Sequence, residues 1–170
     1  MRVLVIGGTR FIGPRIVRRL VKAGHDVGVF YRGEHEVALP AAVRRFKDRH
    51  AAMPVTVIPV ELRAYAPEIV LHMIAMGERD AEAARTGFLG IARRIVAASS
   101  GDVYRAYGIF KGCEDGRVER ELLTESSTLR TKLFPYRTAQ TPKDACEYHY
   151  DKILAERALS ADSRLPATIL

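Results

Sequence analysis

The sequence predicts an α/β domain, a doubly wound parallel sheet in a three-layer αβα arrangement, and three observations carry that prediction. Short aliphatic runs alternate with helical patterns along the chain. The runs are continuous rather than alternating, as in strands buried on both faces. The first of them passes through two glycines straight into an amphipathic helix, the strand–turn–helix unit from which such sheets are built.

That unit is MRVLVIGGTRFIG, from Met1 to Gly13. Val3, Leu4, Val5 and Ile6 form the strand, and Gly7 and Gly8 end it. In the helix that follows, Ile12, Ile16, Val17, Leu20 and Val21 recur at three- and four-residue spacing, with Arg15, Arg18, Arg19 and Lys22 on the other side. Gly24 closes it as a C-terminal cap. Val27 to Tyr31 is the second strand, followed by Arg32 and Gly33. Two segments compete for the third. Val43 to Lys47 is preferred over Val55 to Val60, because Pro59 argues against a central strand. Ile69 to Ile74 is a buried strand and Asp80 to Phe88 a short helix. Ile91 to Ala98 reads as a strand, in competition with a helix because Arg93 and Arg94 interrupt its apolar run. Gly101 to Leu133 has loop composition, Lys143 to Leu159 is a helix, and Pro166 to Leu170 opens one more strand.

Composition narrows the class. At 170 residues, 48% hydrophobic and 28% charged, the chain is a single domain, 1–170, with room for a core. No segment is long enough to cross a bilayer, so no membrane partner is expected. Cys113 and Cys146 lack metal-like spacing and read as reduced thiols in a cytoplasm. His25, His35, His50, His72 and His149 show no paired spacing; His72 reads as a hydrogen-bonded core residue, and no metal is expected. The net charge of +7 includes the pairs Arg18-Arg19, Arg44-Arg45 and Arg93-Arg94. It admits nucleic acid as a partner, but solvated helix faces explain it as well, and no RNA-binding signature accompanies it.

The chemistry gathers at the carboxyl ends of the strands. Glycines let backbone N–H groups approach a pyrophosphate, and the helix amino end favours its charge. After the second strand, an acidic residue suits a free ribose 2′-hydroxyl and an arginine a 2′-phosphate. Arg32 stands there, with Arg10 as a second cation, while Glu34 comes two residues late. The expected cofactor is therefore NADP in preference to NAD. Asp48, at the end of the third strand, is placed to meet the adenine. Tyr148 and Lys152 are four residues apart, so on one helix they share a face, where the ammonium would favour the phenolate and make the tyrosine an acid/base. Tyr107 and Lys111 repeat that spacing, but Gly108 and the loop context count against a rigid helical pair there.

Three stretches, GGTRFIG (7–13), SSGDVY (99–104) and YHYDK (148–152), now stand in one order. In these the chain resembles the short-chain dehydrogenase/reductase superfamily, and most of all its extended and atypical members, the NAD-dependent epimerase/dehydratases. The resemblance implies a Rossmann fold and hydride transfer on a sugar-like or nucleotide-sugar carbonyl or hydroxyl. It implies Ser100 as the substrate-orienting hydroxyl, Tyr148 as the catalytic acid/base, and Lys152 as the residue that holds the nicotinamide ribose. The candidate cofactor contacts are Gly7, Thr9, Arg10, Phe11, Ile12, Gly13, Arg32, Asp48, Ile74, Ala75 and Ser99. It further implies a homodimer, paired through helices beside the site, and a C-terminal substrate-binding region that this chain lacks. The interval from Ser100 to Tyr148 is longer than usual in that family. Atypical members also include non-catalytic dinucleotide- or RNA-binding proteins on the same fold.

Overall fold

A computed structural model describes residues 1–34, 37–117 and 121–170. It contains a six-stranded parallel sheet in the order β3-β2-β1-β4-β5-β6, a Rossmann-type α/β fold. The strands are β1 (Arg2–Ile6), β2 (Asp26–Tyr31), β3 (Arg44–Lys47), β4 (Ile69–His72), β5 (Arg94–Ala97) and β6 (Ala167–Ile169). The helices are α1 (Gly13–Lys22), α2 (Val60–Ala64), α3 (Glu78–Phe88), α4 (Arg105–Phe110), α5 (Cys146–His149) and α6 (Lys152–Ser160).

The register explains the continuous aliphatic runs. Leu4 of β1 pairs with Gly28 of β2 on one side and Val70 of β4 on the other, so β1 has no polar face. Val3 and Val5 pack with Val17 of α1, Val27 and Val29 on one side of the sheet. Leu4 and Ile6 pack on the opposite side with Val70, Ile95, Phe88 of α3 and Leu159 of α6. α1 ends at Gly24, whose φ of 80° is the left-handed conformation a C-terminal cap requires. There the Gly24 and His25 N–H groups donate to Val21 and Leu20 carbonyls.

The third strand, Arg44–Lys47, falls within the expected 43–47 segment, and 55–60 is not a strand. Four expectations are overturned. The stretch 101–133 is not all loop, because it holds a 3-10 turn at Gly101–Val103 and the helix α4; residues 118–120 of that stretch, like His35, lie outside the described residues. Tyr107 consequently sits on a helix, with Lys111 at its end, despite Gly108. The helix expected over 143–159 is broken into α5 and α6. Asp151 breaks it: its backbone is extended (φ −160°), and its carboxylate accepts the Ile153 and Leu154 N–H groups as the N-cap of α6. Its own N–H donates to Met76 O at 3.0 Å. The tertiary contact outweighs the helical pattern of the sequence.

His72 is the fourth correction. It is fully buried at the end of β4, yet neither ring nitrogen has a hydrogen-bond partner among the described residues. Burial, with the Lys152 ammonium adding to it, pushes its pKa down to about 3. Between about pH 6.5 and pH 3 the unfolded chain therefore holds a proton that the folded chain refuses, so stability falls as pH falls through that window. The expected loss is about 2 kcal/mol from pH 7 to pH 5. Urea unfolding at both pH values checks it, and a His72→Leu variant should lose most of that acid sensitivity.

Candidate functional site

A cleft of about 340 Å³ opens at the carboxyl ends of β1, β2 and β4. Gly7 begins its floor with a φ of 87°, a conformation that side-chain-bearing residues rarely adopt. Its N–H donates to Phe30 O at 3.1 Å, which ties the turn to β2. Thr9, Arg10, Phe11 and Ile12 form the wall leading into α1. Among the described residues no side chain caps the amino end of α1, and Pro14 brings no N–H to its first turn, while the Gly13 and Arg15 N–H groups donate to the Arg10 and Ile12 carbonyls; what this end offers an anion is the positive end of the helix dipole. Phe11 is 89% exposed at a φ of 50°, with the Arg10 guanidinium 5.4 Å from its ring centroid. At the end of β2, Arg32 enters the wall with its Nη2 2.9 Å from Glu34 Oε2.

Of the predicted cofactor residues, Gly7, Thr9, Arg10, Phe11, Ile12, Arg32 and Ile74 line this cleft. The other four are placed behind or beside it. Gly13 is buried against the backbone of Gly8, and Ala75 is buried in the core. Asp48 accepts the His50 N–H at 2.9 Å in a local turn, and the wall near it is made instead by Met53 and Val55. Ser99 donates to the carboxylate of Glu156 on α6. Sequence reasoning passed over Met53, Val55, Met73 and Met76 as lining residues. Met73 and Met76 are apolar residues just past the end of β4, whereas Met53 and Val55 lie in the connection between β3 and α2, where nothing in their spacing marks them.

Beyond β5 the predicted catalytic residues separate. Ser100 caps the 3-10 turn by accepting the Asp102 N–H at 3.3 Å. Lys152, at the start of α6, is 7% exposed, and its Nζ donates to Ala98 O at 2.9 Å. Burial pulls its pKa below the usual lysine value, against the opposing pull of Asp102, Asp80 and Glu156. Tyr148 lies on α5, across the Asp151 break, so it and Lys152 do not share a helical face. Its ring instead carries the Arg137 guanidinium, 4.2 Å from the centroid, and Arg137 Nε donates to Tyr148 O at 2.8 Å.

A tyrosine cluster that sequence reasoning missed stands next to Ser100. Asp102 is buried, and its Oδ2 accepts the Tyr150 hydroxyl at 2.8 Å and the Tyr136 hydroxyl at 3.2 Å. Burial first, then the Asp102 carboxylate, drives the Tyr150 pKa well above the usual phenol value. Tyr150 thus holds its proton firmly and acts here as a hydrogen-bond donor. Above this cluster Arg130 and Asp151 form an ion pair at 3.0 Å with both side chains fully buried.

No family model matches the chain. A 37-residue stretch is 51% identical to the chloroplast stem-loop binding protein of 41 kDa b of Arabidopsis thaliana, covering 22% of this chain and 10% of that protein. Among solved structures the chain is similar over 99% of its length to the Bordetella bronchiseptica enzyme WbmG in complex with NAD and UDP (12% identity, TM-score 0.67, 52% of that chain). It is equally similar in extent to vestitone reductase from alfalfa (20% identity, TM-score 0.65, 55% of that chain). An epimerase of Methanothermobacter thermautotrophicus matches at 15% identity and TM-score 0.64, over 50% of its chain. At such identities the likeness is one of fold: this chain has the fold of the N-terminal part of those enzymes and spans about half their length. Among the described residues no helix is long and apolar enough to cross a membrane.

Proposed function

We propose that this chain is the cofactor-binding part of an NAD(P)-dependent epimerase, dehydratase or reductase of the short-chain dehydrogenase/reductase type, acting on a sugar-like or nucleotide-sugar carbonyl or hydroxyl. The observation that carries the proposal is the cleft itself. A left-handed glycine turn, an uncapped helix amino end and Arg32 line one cavity at the carboxyl ends of parallel strands. The fold it shares with an enzyme solved with NAD and UDP supports the same reading.

In this reading the nicotinamide ring, when bound, gives or takes the hydride. The chain's own residues do the rest. The α1 amino end and the 7–13 turn hold the pyrophosphate. Arg32 favours a 2′-phosphate, hence NADP alongside NAD. Ser100 orients the substrate oxygen, and Lys152, anchored on Ala98 O, faces the ribose. Tyr148 is the proposed acid/base, with the Arg137 guanidinium as the cation stacked on its ring.

The direct test titrates the chain with NADPH and NADH and follows nicotinamide fluorescence. Saturable binding of both in the micromolar range is expected; binding of neither would overturn the proposal. A second reading, RNA binding on the same fold, draws on the net charge of +7 and on the stretch shared with a stem-loop binding protein. Hairpin RNA affinity that falls steeply with salt, with no dinucleotide binding, would favour it.

A further inference from the structure

We infer that the outer face of α1 and the adjoining edge of β3 form a nucleic-acid docking surface, which holds the phosphate backbone and stands apart from the cofactor cleft. Charge is divided unevenly along the chain. Residues 1–60 hold 11 of its 27 Lys and Arg residues but 4 of its 20 Asp and Glu residues, whereas residues 61–170 hold 16 of each. The net charge of +7 therefore resides in the β1–α1–β2–β3 half, and the fold gathers much of it on one flank.

α1 buries Val17 against the sheet and leaves Arg15, Arg18, Arg19 and Lys22 exposed. At three- and four-residue spacing these make a stripe about 10 Å long. β3 is an edge strand. Its Phe46 packs in the core on the other side of the sheet, so Arg45 and Lys47, one residue to either side, point to the α1 side. The chain before β3 joins the two elements: Arg18 Nη2 donates to Ala38 O at 2.8 Å, and Arg45 Nη2 to Leu39 O at 3.4 Å. Neutral carbonyls thus fix both guanidiniums without cancelling their charge. Among the described residues none of these six cations is in an ion pair, and none lines the cleft. The described carboxylates of this half are engaged elsewhere: Asp26 with Tyr65, Glu34 with Arg32, Asp48 with the His50 N–H. Guanidiniums held in this way suit phosphate oxygens. No large apolar side chain is exposed among 15–22 or 44–47, so the face offers a lipid bilayer nothing to insert.

The test is fluorescence anisotropy of an RNA hairpin and a DNA hairpin of the same sequence, from about 50 to about 200 mM KCl. The wild-type chain should bind both, its log affinity falling by about 4–5 per decade of salt, as six phosphate contacts require. The triple variant Arg18→Gln, Arg19→Gln, Lys22→Gln should lose about 10- to 100-fold in affinity and about 2–3 from that slope, with NADPH affinity and circular dichroism unchanged. A second triple variant, Arg79→Gln, Arg117→Gln, Arg157→Gln, removes the same charge from exposed positions of the balanced half and should lose no more than about threefold. Equal losses in the two triples would show that affinity follows net charge and not this face, and would overturn the inference. Binding to phosphatidylserine vesicles with neither hairpin bound would overturn it as well. A chain that binds the hairpins as expected but no NADPH leaves this inference standing and removes the cofactor reading.

Discussion

Asp151→Ala is expected to destabilise the fold by about 3–5 kcal/mol, the cost of removing one partner from a buried ion pair. Asp151 and Arg130 have no exposed side-chain surface, and they meet through two bonds, Nη1 to Oδ2 at 3.1 Å and Nη2 to Oδ1 at 3.0 Å. Alanine would leave the guanidinium buried with carbonyl acceptors alone among the described residues, those of Asp102 and Lys132. It would also orphan three backbone donors that the carboxylate now satisfies: Phe134, Ile153 and Leu154. Loss of the helix cap alone typically costs about 1 kcal/mol. Against a total stability of about 5–15 kcal/mol for a domain of this kind, the variant should be marginal at best. Urea unfolding followed by circular dichroism measures it. Arg130→Met should lose nearly as much, and the double variant should lose clearly less than the two single losses added. A loss below about 1 kcal/mol in Asp151→Ala would contradict the assignment of this pair as the tie between the 130–137 loop and α6.

The same residue shows where sequence reasoning stops. The sheet was legible because burial on both faces forces unbroken aliphatic runs, and β1, β2, β4 and β6 fall where Val3–Ile6, Val27–Tyr31, Ile69–Ile74 and Pro166–Leu170 predict them. The glycine turn was legible because a φ such as the 87° of Gly7 strongly favours a residue without a side chain. The Tyr148–Lys152 face was not, since i, i+4 spacing states what a helix would do if it ran through. Asp151, an N-cap type of residue just before Lys152, was the one local signal of a helix start. Its decisive partners, Met76 and Arg130, are distant in sequence. Asp102 was likewise readable only as a small acidic residue after Ser100; its role comes from Tyr136 and Tyr150, 34 and 48 residues away. His72 inverts the case, because sequence reasoning assumed that a buried histidine finds a partner, and here the apolar layer of α3 and α6 supplies none among the described residues.

Gly13→Ala is the substitution expected to damage the cleft most. By helix propensity alone alanine should help, by up to about 1 kcal/mol, because Gly13 is the first residue of α1. Packing decides otherwise. A Cβ on Gly13 would lie 2.7 Å from the carbonyl carbon of Gly8 and 2.9 Å from its Cα and O, and backbone atoms have no rotamer through which to yield. Either α1 retreats from the turn or the turn distorts, at about 1–3 kcal/mol. In both cases the helix amino end moves away from the position it holds beside Gly7 and Thr9. Donors aimed at a phosphate lose strength quickly with distance and angle, so NADPH affinity should fall about 10- to 100-fold, beyond what the modest loss of stability would suggest. Gly24→Ala is the control. That glycine also has a left-handed φ, but nothing lies within 4 Å of its missing Cβ and it caps the far end of α1. It should cost about 1 kcal/mol in backbone strain and leave cofactor affinity unchanged. Fluorescence titration and thermal melts of the two variants separate the effects. Equal affinity in both would mean that the close contact of Gly8 and Gly13 serves folding only, and that the phosphate-binding donors lie elsewhere in the cleft.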